Sequence, residues 1–399
     1  MTSASPRTSR TVLTGAVVLP DRVVGDGAVA VAEGTIAYAG ERASLPDDWA
    51  EVAEPDGWQA GLTLLPGLVD IHCHGGNGGE FGPDAGGSHR AARHHHGQGT
   101  TTVVGSLVSA PAAVLVAGAR TLGDLVRSGE LAGIHLEGPF LSMVRCGAQN
   151  PAALVDADVA LVEALGEAAG EGAFAQMTWA PERPGGQTVP TALASVGALA
   201  ALGHTDADYA TATRALAGAA AGVRGGVPLA THVFNGMPPL LSRSPGPVGA
   251  AIAAAGRREA VLEVIADGVH LDAGTVRMLF DTVGPGQVAL VSDAMAASGL
   301  PDGAYSLGGL DVAVSGRAAR LRDNGTLAGG VSTLLEQVRW LVDDLGVPLV
   351  DAVTAASATP ARALALPRVG SLAPGQHADV VVVDDRLQLR QVLRRGTWL

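Results

Sequence analysis

The sequence predicts an α/β protein: a (β/α)8 TIM barrel with a small β-sandwich domain formed from the N- and C-terminal segments. Three observations predict it. From residue 66 to about residue 300, short apolar runs alternate with Ala/Leu-rich segments of helical period, which implies βα units around a parallel sheet. Short β-rich runs broken by turn signals occupy both ends of the chain, outside that alternation. Histidines and carboxylates recur where the apolar runs end, the rim of a barrel that carries chemistry.

Residues 11–18, 28–31 and 35–38 read as short strands separated by Asp-Gly and Glu-Gly turns. Candidate barrel strands follow at 68–72, 101–107, 132–137, 174–180, 199–204, 228–233, 260–267 and 287–292. The intervening helices include 111–127, 151–169, 188–197, 206–221 and 272–282. A polar, turn-rich excursion covers 302–330, and two helices follow at about 331–345 and 348–358. Residues 370–384 read as strand, turn, strand. The chain thus divides into 1–65, the first part of the small β domain, 66–365, the barrel, and 366–399, the second part.

Composition narrows the function. With 399 residues, 47% of them hydrophobic, the chain can bury one large core and a smaller one. A formal charge of −13 argues against nonspecific binding to nucleic acid or an anionic membrane, so an anionic substrate must be met by local arginines. The two cysteines, Cys73 and Cys146, form no disulfide framework. The N-terminal stretch lacks a long apolar core with a small-residue cleavage site, and no run approaches the ~20 apolar residues of a membrane span. A cytoplasmic protein is the expectation.

The first barrel strand ends Asp70-Ile71-His72-Cys73-His74. Residues two apart on a strand share a face, so His72 and His74 project together, where two imidazoles can grip zinc, iron or nickel. Alone, a His-x-His pair is as readily two loop histidines. The remaining strand ends change the balance. Glu137 closes the third strand, His204 the fifth, His232 the sixth, Asp267 and His270 follow the seventh, and Asp293 follows the eighth, although only 11 residues are histidine. Taken singly, Glu137 is a paired barrel carboxylate and each histidine a satisfied core group. Jointly they read as a metal site. Glu137, His204 and His232 supply three ligands with a position open for water, His72 and His74 hold the same ion or a second one, and Asp293 is the general base. His94-His95-His96 lies before the second strand, away from the rim, and reads as loop.

These residues, with the motifs His135-Leu136-Glu137-Gly138-Pro139-Phe140, Gly203-His204-Thr205-Asp206-Ala207, 231–240, Asp267-Gly268-Val269-His270 and Leu327-Ala328-Gly329-Gly330, make the chain resemble the amidohydrolase superfamily. Within it the chain is similar to the N-acetylglucosamine-6-phosphate deacetylase family, from 66–70 to the tail at 378–382. The resemblance implies a divalent metal, zinc first and iron as the alternative, as one or two ions per subunit. It implies hydrolysis of the acetamido group of an amino sugar phosphate, with Asp293 as proton shuttle. Asn235, Gly236 and Arg243 then contact the phosphate, His270 the sugar, and Leu327, Ala328 and Gly329 the acetyl group. Ala148 and Gln149 belong to the substrate loop after the third strand. Arg243 is expected to reach the neighbouring active site of a homodimer; a surface arginine in a Pro-rich loop is the plain alternative. One departure stands out: the family usually has histidine where Gln149 stands, and glutamine hydrogen-bonds but carries no charge. A deacetylase for the galactosamine epimer is therefore a second expectation, and a non-catalytic scaffold, which would have lost its ligands, a third. Cys146 lies in the same loop and reads as a packing thiol.

Overall fold

The computed structural model describes residues 10–221 and 226–399. Eight parallel strands, Val69–Cys73, Thr102–Val108, Gly133–Glu137, Phe174–Trp179, Leu199–Leu202, Leu229–Ala230, Val261–Val264 and Val288–Leu290, lie side by side in chain order. The ring closes at its mouth rather than along its length. Asp293 N–H donates to the His72 carbonyl at 2.9 Å, and His74 N–H to the Ala294 carbonyl at 2.8 Å. The last strand therefore meets the first where the candidate ligands sit. Val69, Val104, Ala201, Leu229, Val261 and Ala289, one from each of six strands, belong to one buried apolar cluster, so the cylinder is a packed core and not a pore.

Helices alternate with the strands: α1 (Ala85–Gly97), α2 (Ala112–Arg127), α3 (Val159–Ala169), α4 (Val189–Ser195), α5 (Tyr209–Ala221), α6 (Gly246–Gly256), α7 (Ala273–Val283) and α8 (Leu334–Asp343). Local chemistry sets several starts. The Asp158 and Asp272 side chains accept from the first-turn amides of α3 and α7, and Thr333 with Glu336 forms a capping box on α8. Two sequence expectations need correction. His94-His95-His96 is not loop but the last turn of α1, whose Asp84 cap accepts from Gly86 and Gly87 N–H. Glycines in the first turn and a buried face of Ala91, Ala92, His95 and His96 hide the apolar period that marks a helix. The helix expected over 151–169 begins only at Val159, after a short 3-10 turn at Pro151–Ala153.

Both chain ends build one seven-stranded sheet. Its order is Thr397–Trp398, Leu389–Arg394, Val380–Val383, Thr63–Pro66, Arg10–Val18, Val23–Ala32 and Thr35–Glu41. The sheet curls over its own apolar face: Leu13, Val29, Ile36, Leu64, Val380 and Leu393 share one cluster, and Thr35 pairs with His377 across the opening. The two layers expected of a sandwich are thus halves of a single bent sheet. The excursion at 302–330 is a three-stranded antiparallel sheet, Gly303–Leu307, Leu310–Ser315 and Ala318–Leu321, packed on Met295 and Ala328 beside the barrel mouth.

Candidate active site

The rim residues converge on one buried cluster. Glu137 lies at its centre. Its Oε1 is 2.8 Å from His204 Nε2 and 2.8 Å from His232 Nε2, and these two nitrogens are 3.1 Å apart. Its Oε2 is 3.0 Å from His74 Nε2. His72 Nε2 lies 3.1 Å from His74 Nε2, and Asp293 Oδ1 is 3.5 and 3.3 Å from the two. Two donor sets follow, Glu137 with His204 and His232, and His72 and His74 with Glu137 and Asp293, sharing Glu137.

Local backbone geometry aims these side chains. His204, His232 and Asp293 have φ of 47°, 25° and 46°, left-handed values that non-glycine residues rarely adopt and that cluster at functional sites. In the first strand a register shift between Asp70 and Cys73 breaks the simple alternation, and the Asp70 carboxylate accepts from His72 N–H and Ser292 N–H across the seam. Gly236 has φ +61°, and a Cβ there would lie 2.8 Å from His204 Nδ1, so only glycine fits.

The donor set fits a cation. His74 Nδ1–H donates to the Ser106 carbonyl and His204 Nδ1–H to the Arg145 carbonyl; a carbonyl only accepts, so the neutral rings present bare Nε2 lone pairs to each other and to Glu137. His72 does the same through Nδ1–H to Glu263. Lone pairs facing lone pairs and carboxylate oxygens require positive charge between them. Glu137, Glu263 and Asp293 are all buried, and their only ion-pair partners among the described residues are imidazoles. Burial pulls His74 down, but Asp293 and Glu137 overcome it and push its pKa up to about 9. The same contest raises His72 and His204 and holds Glu137 well below the usual carboxylate range. The cluster thus calls for cationic charge, whether as protons or as metal.

A cavity of about 140 Å3 opens onto the cluster. It is lined by His74, Glu137, His204, His232 and Asp293, and by Ala148, Gln149, Asn235, Gly236, His270, Leu327 and Gly329 from the expected substrate-binding set. Gly147, Leu307 and Thr326 also line it and were not singled out from the sequence. His72 lies behind the cavity, fully buried. Ala328 does not line it; the side chain packs with Met295 and Leu307. Arg243 does not line it either, and sits exposed on the tight turn where Leu241 pairs with Ser244. Gln149 is clamped: its Nε2 donates to Glu137 Oε2 at 2.5 Å and its Oε1 accepts from Ser109 N–H at 2.8 Å. His270 Nδ1 pairs with Asp267 Oδ2 at 2.8 Å; burial pulls it down, yet Asp267 leaves it above the ordinary histidine range. Cys146 is half-buried and its Sγ hydrogen-bonds the Gly147 carbonyl, whereas Cys73 is buried with its Sγ 3.1 Å from His95 Nε2. A larger cleft of about 750 Å3, lined by Phe81, Leu115 and Tyr305, contains none of the metal-binding candidates.

Two supporting residues escaped the sequence reading. Glu263 stands behind His72, and Gln176 donates to Glu263 and to the Ile71 carbonyl. The signal was available: a lone glutamate inside Val261-Leu262-Glu263-Val264 and a lone glutamine inside another apolar strand are costly to bury without a purpose.

A barrel of parallel strands with histidines, a glutamate and an aspartate gathered at its mouth defines the class, and the chain belongs to the amidohydrolase family, whose model matches residues 63–398. That family comprises metal-dependent hydrolases. Among particular proteins, it is 32% identical over 391 residues to N-acetylglucosamine-6-phosphate deacetylase of Bacillus subtilis, covering 96% of this chain and 94% of that one. It is 31% identical to N-acetylgalactosamine-6-phosphate deacetylase of Escherichia coli O157:H7, over 84% and 86% of the two chains. A solved structure of a point mutant of N-acetyl-D-glucosamine-6-phosphate deacetylase from Mycobacterium smegmatis, in complex with N-acetyl-D-glucosamine-6-phosphate, superimposes with a TM-score of 0.89 at 36% identity. The match covers 98% of this chain and 99% of that one.

Proposed function

We propose that this protein hydrolyses the acetamido group of N-acetyl-D-glucosamine 6-phosphate, giving D-glucosamine 6-phosphate and acetate. The observation that carries the reading is the convergence of Glu137, His204, His232 and Asp293 beside one cavity. Glu137, His204 and His232 hold the principal divalent ion, zinc or iron, and His72 and His74 with Glu137 and Asp293 hold a second. Bound there, such an ion supplies Lewis-acid polarisation of an amide carbonyl and makes nearby water acidic.

The chain's own residues do the rest. Asp293 stands at the mouth with Oδ1 facing His72 and His74, placed to take a proton from the attacking water and return it to the departing amine. His270, held by Asp267 and biased toward its protonated form, donates to the sugar. Ala148, Leu307 and Leu327 give the cavity apolar lining to receive the acetyl methyl group. Asn235 and Gly236, which line the cavity, meet the phosphate. Arg243, beside Leu240 and Leu241 at 47% and 57% exposure, supports a homodimer in which it reaches the partner's phosphate site. The same reading keeps 66–365 as the catalytic barrel and joins 1–65 to 366–399 as the small β domain in a cytoplasmic enzyme.

Acetate release from the glucosamine epimer by the purified protein, abolished by chelation and restored by zinc or iron, is the expected result. Protein that binds metal yet releases no acetate refutes it. Gln149 supports a second reading, the galactosamine epimer. Comparing kcat/KM on both decides, a 100-fold preference corresponding to about 2.7 kcal/mol of transition-state discrimination.

A further inference from the structure

The seventh barrel strand carries a carboxylate that the proposed reaction does not use. Glu263 is wholly buried, and His72 is its only ion-pair partner among the described residues. Its Oε2 accepts from His72 Nδ1–H at 3.0 Å and from the main-chain N–H of His232 at 3.4 Å. Its Oε1 accepts from Gln176 Nε2 at 3.4 Å, and the same Gln176 nitrogen donates to the Ile71 carbonyl at 2.7 Å. One side chain therefore touches the ring of a ligand in one donor set and the backbone of a ligand in the other.

Three consequences follow from elementary chemistry. A carboxylate on Nδ1–H fixes the tautomer, so His72 presents its Nε2 lone pair toward His74 and Asp293. It also raises the basicity of that lone pair. Finally, it adds a negative charge. Glu137 and Asp293 alone balance one divalent ion, and Glu263 supplies one of the two further negative charges that a second would call for.

We propose that Glu263 is the positioning residue that turns His72 and His74 into a cation site, and so determines whether a second divalent ion is held. This rests on the two-position reading above. The test is zinc binding to the full-length protein, by titration against a competing chelator, with metal content per chain from elemental analysis. Wild type should take up two ions. The near-isosteric E263Q should hold the first with affinity within about threefold of wild type and weaken the second by roughly ten- to a hundredfold. E263D, which keeps the charge, should recover part of the loss. Because Glu263 acts through His72, adding E263Q to H72A should weaken second-ion binding no further.

E263Q that binds both ions as wild type does overturns the proposal, as does E263Q that loses both together while its thermal midpoint is unchanged. Should E263Q not fold, a folded E263D that loses the second ion completely, or an E263D indistinguishable from E263A, overturns it in the same way. A wild type that takes up a single ion at saturation defeats the two-position reading and this inference together, whereas acetate release that survives full metal removal defeats the functional reading alone.

Discussion

At the residue scale, the site depends on donors whose second atoms are already committed. Asp293 has one oxygen directed at His72 and His74, and its replacement by asparagine keeps the shape but not the basicity. D293N should therefore lose roughly 10²- to 10⁴-fold in kcat for acetate release, while elemental analysis still finds metal bound. Gln149 lines the cavity and is also held in place by two hydrogen bonds. Its amide bridges Ser109 N–H and Glu137, so Gln149→Ala strands a buried donor and frees a ligand oxygen. Leaving such a group unpaired costs about 1–3 kcal/mol of stability, so the thermal midpoint should fall, and the lost grip on Glu137 should lower kcat/KM on both epimers alike. A fall confined to one epimer would instead mean that Gln149 reads the sugar. Every proposed metal ligand was legible as a residue type at a strand end. What was not legible was the environment of each. A lone Glu263 and a lone Gln176 inside apolar strands signal buried partners but not which ones, since those lie 191 and 105 positions away.

At the element scale, α1 is the instructive case. Its sequence, AGGSHRAARHHHG, has glycines where a helix starts and histidines where its buried face ends, so periodicity alone does not reveal it. The fold buries His95 and His96 as neutral rings. Burial first, then the neighbouring His94 for His95 and the Arg394 guanidinium for His96, lowers their pKa values to about 4 and about 3. In the unfolded chain both titrate near the ordinary 6.5. Between those limits the unfolded state takes up protons that the folded state refuses, so stability must fall as pH drops from about 6.5 toward 4. Each ring contributes up to about 1.4 kcal/mol per pH unit. Thermal midpoints measured from pH 7 to pH 5 should therefore decline less steeply in H96Q than in wild type; equal slopes would count against a neutral, buried His96. The barrel strands, in contrast, were placed to within a few residues, because an apolar run bounded by glycine and polar residues has few other uses in a parallel sheet.

At the scale of the whole molecule, the terminal sheet packs on the barrel through Val18, Leu65, Val381 and Val383, and one long side chain adds a polar tie. Arg394, from the strand Leu389–Arg394, donates to the carbonyls of Thr101 and Gly129 at 2.9 and 2.7 Å, on the loops that precede the second and third barrel strands. These loops lie at the end of the barrel opposite the site. R394A should lower the thermal midpoint by several degrees, the loss of two charge-assisted bonds, while kcat/KM stays within about twofold of wild type. The dimer reading is testable at the same scale. R243A should raise KM for the sugar phosphate at least tenfold with little change in kcat. Mixing it with a D293N chain should restore activity to the heterodimer, since one intact site can then draw Asp293 from one chain and Arg243 from the other. A monomeric wild type by light scattering would remove the basis for both results.

The alternation of short apolar runs with helical segments determined the barrel, and the residue types at the strand ends determined the metal-dependent chemistry. Both are local signals: a strand's length and its terminal residue are properties of a few neighbouring positions. Tertiary structure alone decided that Glu137 is shared between two donor sets, that Gln149 grips Glu137, that Ala328 faces a core and not the cavity, and that Glu263 backs His72. Each of these depends on where side chains from distant strands meet once the ring closes through Asp293 and His72, and no window along the chain contains that closure.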